Sequence, residues 1–247
     1  MIQYIKSRDN TLVKYVKKLR QNSFSKEESR FVIEGEHLAL MAKENLEYIF
    51  TLKELDEKVF PKQYVVTPEI MEKLSEGKSI ARIIGVCKTI KPKSIDSRLV
   101  LYLDDVQDPG NVGTIFRTAL AFGFDSVMVS SKTAYQYNSK VIQASQGAIF
   151  DLNIVQADIE KLKEFKKKGY LLLSTALRDN SFFAHEYVFK NNQKYVIILG
   201  NEGKGISKDI LDLSDASIKI NIRGMESLNV AVAGSIIMNQ AFNCGNE

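Results

Sequence analysis

The chain of 247 residues has no tryptophan, two cysteines, two histidines and four prolines. With only Cys87 and Cys244, a disulfide-dense scaffold is excluded, and a reducing compartment is indicated. Because His37 and His185 are the only histidines and no Cys/His cluster occurs, we expect no zinc site and no other metal. No uncharged apolar run is long enough to span a bilayer, and the first residues lack the apolar core of a signal peptide. We therefore expect a cytoplasmic protein with no membrane partner.

The composition that is present predicts an ordered globular protein. Hydrophobic residues make up 45% of the chain and charged residues 26%. The net charge of +4 is too small to prove nucleic-acid binding, so the arrangement of the lysines matters. In residues 10–21, Lys14, Lys17 and Lys18 lie on the helical face opposite an apolar face. On charge alone, this pattern leaves two interpretations open, a solvated helix surface or a cationic patch that contacts RNA.

Polar residues 91–97, which include a proline, predict a linker between two α/β domains. The first domain, residues 1–92, is expected to be small and to mix helices with strands. The second, residues 98–247, alternates nearly continuous apolar strands with helices, as in a parallel sheet covered on both faces. Its expected strands include residues 149–155 and 194–200.

The stretch "LGNEGKGIS" (Leu199 to Ser207) resembles a phosphate-binding loop only superficially. Gly205 separates Lys204 from Ser207, so the P-loop spacing fails, and the glycine order of the dinucleotide motif fails as well. An NTPase is therefore disfavoured. Glycines there still allow the backbone to approach a ligand closely, while Glu202 argues against a polyanionic phosphate. A glycine-rich connection without a ligand is the alternative.

The helix that begins near Gly110 carries a single charge, Arg117, among apolar or small residues. We expect this helix to be buried or to lie in an interface. A buried guanidinium needs a partner, so Arg117 either forms a salt bridge, to Asp104, Asp105 or Glu202, or has a functional role.

The last helix is uncharged from Ser227 to Gly245. In a globular protein that pattern predicts the core or a subunit interface. N-capping accounts well for Ser227 at its start and less well for Asn229. Near Asn111, free backbone N–H groups at the start of the earlier helix favour an anion such as an RNA phosphate.

Three segments in this order resemble the three motifs of the SpoU, or TrmH-type, RNA ribose methyltransferases: "NVGTIFR" (Asn111 to Arg117), "LGNEGKGI" (Leu199 to Ile206) and "INIRGMESLNVAVA" (Ile220 to Ala233). The segments "SRDNTLVKYVKKL" and "FVIEGEHLA" resemble the substrate-binding domain that often precedes the catalytic domain. The resemblance covers nearly the whole chain, and the three motifs together are highly specific. Asn221 stands where the family often has proline, and the segment before "SLNV" is one residue shorter than in many members.

The resemblance implies a small N-terminal α/β (L30e-like) domain and a C-terminal parallel-sheet SPOUT domain with a trefoil knot. It also implies a homodimer that pairs through the motif-one helix and the C-terminal helix. The N-terminal domain would bind RNA, which favours the cationic-patch interpretation of Lys14, Lys17 and Lys18. The implied cofactor is S-adenosylmethionine (SAM), and the positions that match its contacts are Thr175, Ala176, Leu199, Gly200, Ile220, Ile222 and Leu228.

The implied reaction moves a methyl group from SAM to a ribose 2′-hydroxyl of structured RNA, with rRNA favoured over tRNA. Because the pKa of arginine lies above about 12, we interpret Arg117 as a group that binds the adjacent phosphate and stabilises the forming oxyanion. Whether it also takes the proton is left open. Asn111, Glu202, Ser227 and Asn229 would hold Arg117 and the ribose in place. The alternative is a non-catalytic RNA-binding or assembly factor of the same fold, which the intact motif residues disfavour.

Overall fold

The computed structural model describes residues 1–77, 79–176, 178 and 181–244. The described chain divides into two compact units. One contains residues 1–91 and 135–150, and the other contains residues 92–134 together with the chain from Asp151 onward. Residues 245–247 of the expected second domain lie outside the described residues. No helix of the described chain is long and apolar enough to cross a membrane.

The first unit begins with alternating short strands and helices. In chain order they are β1 (Ile2–Ile5), α1 (Thr11–Leu19), α2 (Asn22–Glu28), β2 (Arg30–Glu34), α3 (Glu36–Ala42), β3 (Leu46–Thr51), β4 (Gln63–Val66), α4 (Pro68–Leu74) and β5 (Ile83–Lys88). The strands form one sheet in the order β1-β4-β3-β5-β2. β1, β4 and β3 are parallel, whereas β5 runs antiparallel to β3 and β2.

Helix α1 is amphipathic, as its residue spacing predicts. Asn10 caps its start, because the Asn10 side chain accepts a hydrogen bond from the backbone N–H of Leu12 at 2.8 Å. Val13, Val16 and Leu19 are buried against the sheet. The three lysines of the helix therefore lie on its exposed face.

The rest of the chain follows a regular alternation. Its elements are β6 (Leu99–Asp104), α5 (Pro109–Ala121), β7 (Ser126–Val129), α6 (Ser139–Ser145), β8 (Asn153–Gln156), α7 (Ile159–Lys167), β9 (Tyr170–Thr175), β10 (Phe182–Phe183), β11 (Lys194–Gly200), α8 (Lys208–Leu213), β12 (Ala216–Lys219) and α9 (Val230–Asn243). The strands of the second unit form a parallel sheet in the order β10-β12-β9-β11-β6-β7-β8. β6 and β11 are buried along their whole length, apart from the half-buried first residue of β11, so they form the centre of the sheet.

Residues 135–150, which contain α6, pack with the first unit. The ring of Tyr137 stacks on Phe31 with centroids 4.2 Å apart and an angle of 20° between the rings. The Tyr137 hydroxyl also accepts a hydrogen bond from the backbone N–H of Ile90 at 2.7 Å. The sequence analysis placed residues 135–150 in the second domain, whereas in the structure they belong to the first compact unit.

Several elements differ from the sequence predictions. The strand expected at residues 149–155 covers only Asn153–Gln156, and a 3-10 turn forms at Ala148–Phe150. Ala148 and Ile149 are buried, so their apolar character reflects burial and not strand structure. β1, α2, β10 and α8, which span two to seven residues each, were not predicted.

Candidate functional site

Four strands of the second unit end at the same edge of the sheet. Because the sheet is parallel, the loops that follow β6, β9, β11 and β12 leave from their carboxyl ends together. Gly200 at the end of β11 pairs in register with Asp104 at the end of β6. This edge is where open α/β sheets bind their ligands.

A pocket of about 630 Å³ opens among these loops, in the size range of small-molecule sites. Three of the four loops line it, together with the start of α9. The predicted cofactor positions that line it are Thr175, Ala176, Gly200, Ile220, Ile222 and Leu228. Asn221, the departure from the family pattern, is exposed and lies outside the pocket lining.

Position 200 requires glycine, because the backbone of the following loop folds back against it. A Cβ atom there would lie 2.5 Å from the carbonyl carbon of Gly205 and from the backbone nitrogen of Ile206. Asn201 and Gly205 exchange two backbone hydrogen bonds, at 3.0 and 2.9 Å, which fold the loop back over the strand end. The glycines of this segment therefore form a tight turn at the pocket wall.

Leu199, the remaining predicted cofactor position, does not line the pocket. Its side chain is fully buried. It contacts Gly234 of α9, where an added Cβ atom would lie 2.7 Å from a Leu199 methyl carbon. Gly234 thus allows α9 to pack closely against the end of β11.

A chain of side-chain hydrogen bonds joins three predicted catalytic residues from three distant segments. The amide nitrogen of Asn229 donates to the amide oxygen of Asn111 at 2.9 Å. The amide nitrogen of Asn111 donates to a carboxylate oxygen of Glu202, also at 2.9 Å. The start of α5, the loop after β11 and the start of α9 are therefore held together by Asn111, Glu202 and Asn229.

The carboxylate of Glu202 is held in its charged form. Partial burial raises its pKa, but hydrogen bonds from Asn111 and from backbone N–H groups, including those of Gln107 and Asp108, outweigh the burial. The net shift lowers the pKa below its ordinary value. Glu202 is therefore an anion at neutral pH whose oxygens accept hydrogen bonds from the loop before α5.

The N-cap of α9 is Asn229 and not Ser227, so the capping interpretation was wrong. The side-chain oxygen of Asn229 accepts hydrogen bonds from the backbone N–H groups of Ala231 and Val232, at 2.9 and 3.3 Å. Ser227 lies two residues before this cap, is exposed and lines the pocket. The helix starts later than expected because Asn229 both caps it and reaches Asn111.

Arg117 is exposed, and among the described residues it has no salt bridge or side-chain hydrogen bond. Of the two alternatives for Arg117, the salt bridge to Asp104, Asp105 or Glu202 is thus not formed within the described part of the chain, and the functional role stays a prediction. The buried face of α5 carries Val112, Gly113, Ile115, Phe116 and Ala119. Arg117 faces solvent outside the pocket lining, one helical turn from Thr114.

Sequence reasoning missed several residues at this site. Arg178, Lys204 and Lys219 line the pocket, and Lys219 also lies with its ammonium 4.8 Å from the centre of the Phe183 ring. Arg178 and Lys219 are isolated cations near strand ends and gave no signal in the sequence, whereas Lys204 was considered only as a possible P-loop lysine. Asn201, which holds the loop after β11, could have been suspected from its place between two glycines.

In the first unit, the three predicted RNA-binding lysines are exposed along α1. Lys14 forms an ion pair with Asp9 at 3.1 Å, and the ammonium of Lys18 lies 4.0 Å from the centre of the Phe24 ring. Lys17 has no side-chain partner within the described ranges. Neither unit, as far as it is described, contains a cluster of three or more His, Cys, Asp or Glu residues arranged to hold a metal.

Known proteins resemble this chain along nearly its full length. A curated relative, the 23S rRNA (guanosine(2553)-2′-O)-methyltransferase RlmP of Bacillus subtilis, is 31% identical over 96% of this chain and 98% of its own. An AdoMet-bound rRNA methyltransferase from Sinorhizobium meliloti has the same fold, with a TM-score of 0.89, 23% identity and 98% coverage of both chains. The SpoU methyltransferase AviRb from Streptomyces viridochromogenes, in complex with AdoMet, matches with a TM-score of 0.81, 19% identity and coverage of 95% and 97%.

The predicted fold class, a small α/β domain followed by the parallel sheet of these methyltransferases, is thereby confirmed. The trefoil knot stays a prediction. The model of the SpoU rRNA Methylase family matches residues 98–239, the part of the chain that contains all three motifs. The chain therefore belongs to the SpoU rRNA methylase family.

Proposed function

We propose that this enzyme transfers a methyl group from SAM to the 2′-hydroxyl of a guanosine ribose in rRNA. The reaction class follows from the family, and rRNA is favoured by the relative of 31% identity, which acts on guanosine in 23S rRNA. The observation that carries the proposal is the pocket at the carboxyl edge of the sheet, bordered by the hydrogen-bonded set of Asn111, Glu202 and Asn229.

The residues of the pocket fit SAM. Its lining combines apolar side chains of the segment 218–228 with backbone groups of the tight turn at Gly200, where no Cβ atom can be placed. Such a surface suits an adenosine ring and an aliphatic chain that carry no phosphate. When bound, SAM supplies an electrophilic methyl group on a sulfonium.

The protein must stabilise developing charge on the attacking oxygen, because a ribose hydroxyl is a poor nucleophile at neutral pH. Asn111, Glu202 and Asn229 fix the relative positions of α5, the turn and α9. We assign to Arg117 the binding of the phosphate beside the target ribose and stabilisation of the oxyanion. Ser227, exposed at the pocket, is assigned to the ribose. These roles remain proposals.

We also propose that two copies pair through α5 and α9. These helices pack on each other, with the Ser235 hydroxyl 3.4 Å from that of Thr118. Yet the outer surface of α9 remains apolar: Val232 is 50% exposed and Ile236 is 42% exposed. A second copy would cover this surface, and Arg117 would then lie at the edge of the interface.

We assign RNA capture to the first unit, which corresponds to the RNA-binding domain predicted at residues 1–92. Its phosphate contacts would be Lys14, Lys17 and Lys18. The Lys14–Asp9 ion pair does not oppose this role, since both side chains are exposed and such pairs contribute little to stability, so Lys14 can exchange Asp9 for a phosphate. Because the proposed substrate is rRNA, we also propose that the enzyme acts in the cytoplasm.

The substrate proposal predicts one missing methyl group in rRNA when the gene is deleted. Mapping of 2′-O-methyl positions in rRNA and tRNA, with and without the gene, should reveal a single lost guanosine site in rRNA. Loss of a tRNA position instead would assign the enzyme to tRNA. Unchanged RNA, together with a purified protein that transfers no methyl group to RNA, would favour the non-catalytic assembly factor.

Replacement of Gly200 by valine should abolish SAM binding, because a side chain would collide with Gly205 and Ile206. Gly203→Ala is the matched control, since a Cβ atom there meets only the Asn201 side-chain oxygen at 3.7 Å. By calorimetry, we expect an affinity loss of at least about 100-fold for Gly200→Val and of less than about threefold for Gly203→Ala. Equal affinities in both variants would remove this turn from the cofactor site.

Arg117→Ala and Arg117→Lys should keep their thermal midpoints, because the side chain is exposed. Both should lower kcat for methyl transfer by at least about 100-fold, since a lysine cannot reproduce the planar guanidinium. SAM affinity should not change. Exposed Arg82 of the first unit provides the control, as Arg82→Ala should leave kcat intact. Near-normal turnover by the lysine variant would contradict the assigned role.

Ile236→Asp should convert the dimer to a monomer by placing a charge in an apolar interface. Val59→Asp is the control, because Val59 is 48% exposed in a loop of the first unit. Light scattering should give the mass of two chains for the wild type and for Val59→Asp, and of one chain for Ile236→Asp. A wild-type mass near 27.9 kDa at micromolar concentration would refute the pairing.

A further inference from the structure

Asp105 has a backbone conformation that its residue type adopts at a cost. It follows β6 with a φ of +57°, in the left-handed region that non-glycine residues seldom occupy. Such residues persist only where the surroundings determine them fully, and they concentrate at functional sites. Asp105 begins the loop that leads to α5, where Asn111 lies.

The side chain and the N–H of Asp105 are held by one residue. The hydroxyl of Ser130, at the end of β7, donates to a carboxylate oxygen of Asp105 at 2.6 Å. The same hydroxyl accepts a hydrogen bond from the Asp105 backbone N–H at 2.9 Å. Lys132 also approaches the carboxylate, with its ammonium 3.5 Å away. These contacts account for the stability of the left-handed turn.

The carbonyl group of Asp105 faces the pocket turn. The amide nitrogen of Asn201 donates to this carbonyl oxygen at 2.8 Å. The amide oxygen of Asn201 accepts hydrogen bonds from the backbone N–H groups of Gly203 and Lys204, both at 3.0 Å. One side chain therefore shapes the turn and, at the same time, attaches it to the loop before α5.

We propose that the Asn201–Asp105 hydrogen bond positions the methyl-donor pocket relative to the start of α5, and that the left-handed turn at Asp105 exists to present its carbonyl to Asn201. Asn201 and Asp105 are thus positioning residues for methyl transfer, which act through Glu202 and Asn111. The proposal rests on the proposed function. Small displacements between reacting groups are costly in rate, so loss of this contact lowers kcat more than it lowers binding.

Asn201→Asp isolates the contact. The aspartate keeps an acceptor for Gly203 and Lys204 but replaces the donor to Asp105 with an oxygen. Asn153→Asp is the matched control, because the Asn153 side chain likewise bonds the backbone N–H and carbonyl of Lys93, at 2.8 and 3.0 Å, away from the pocket. We expect kcat to fall at least about tenfold in Asn201→Asp, with less than about threefold change in SAM affinity and in the KM for RNA. Asn153→Asp should lower only the thermal midpoint.

A second pair of variants tests the turn itself. Asp105→Gly accepts a positive φ without strain, so kcat should stay within about threefold of wild type although the contacts of the carboxylate to Ser130 and Lys132 are lost. Asp105→Val, whose branched side chain disfavours that conformation, should lose kcat as Asn201→Asp does. If kcat is kept in Asp105→Gly but lost in Asp105→Val, the backbone conformation at position 105 is what methyl transfer requires, and the carboxylate charge is not.

Hydrogen exchange provides a readout that does not depend on turnover. Amides of residues 105–111 should exchange faster in Asn201→Asp than in wild type or Asn153→Asp. A folded Asn201→Asp variant with kcat within about twofold of wild type and unchanged exchange would overturn the proposal. If the wild type methylated no RNA, the proposed function would fail, and the exchange measurement alone would decide whether the contact positions the loop.

Discussion

The site depends on the carboxylate of Glu202, which joins the pocket turn to the loop before α5. It accepts hydrogen bonds from Asn111 and from the backbone N–H groups of Gln107 and Asp108, and these bonds keep its pKa low. Through Asn111 the connection continues to Asn229, the cap of α9. A side chain at position 202 too short to reach Asn111, Gln107 and Asp108 would leave these three donors without their acceptor and would loosen the loops around the pocket.

The turn that carries Glu202 is possible only because of small residues around it. Gly200 has no space for a Cβ atom, and Gly234 lets α9 pack against Leu199. At the carboxyl edge of β11, Gly200 thus brings backbone against backbone, and Gly234 brings the α9 backbone against the Leu199 side chain. Part of the pocket wall is therefore main chain of this turn, which gives its glycines a role that does not involve phosphate binding.

The fold and the pocket were largely predictable from sequence, whereas the arrangement of side chains was not. Alternating apolar runs predicted the parallel sheet, and the motif around Gly200 predicted the pocket turn. Asn111 and Asn229 meet although 118 positions separate them, and no local pattern reveals such a contact. The exposure of Arg117 was left open for a related reason, since an apolar helix does not indicate which of its faces a neighbouring element covers.

The polar groups at the site are of two kinds, those that are hydrogen-bonded within the protein and those that are exposed. The amides of Asn111 and Asn229 each make hydrogen bonds within the protein through both the nitrogen and the oxygen. Arg117 and Ser227, by contrast, are exposed. Groups of the first kind are suited to fixing geometry, and groups of the second kind to meeting RNA. Because Arg117 lies on α5 outside the pocket lining, the role proposed for it requires the RNA to extend beyond the pocket to this helix.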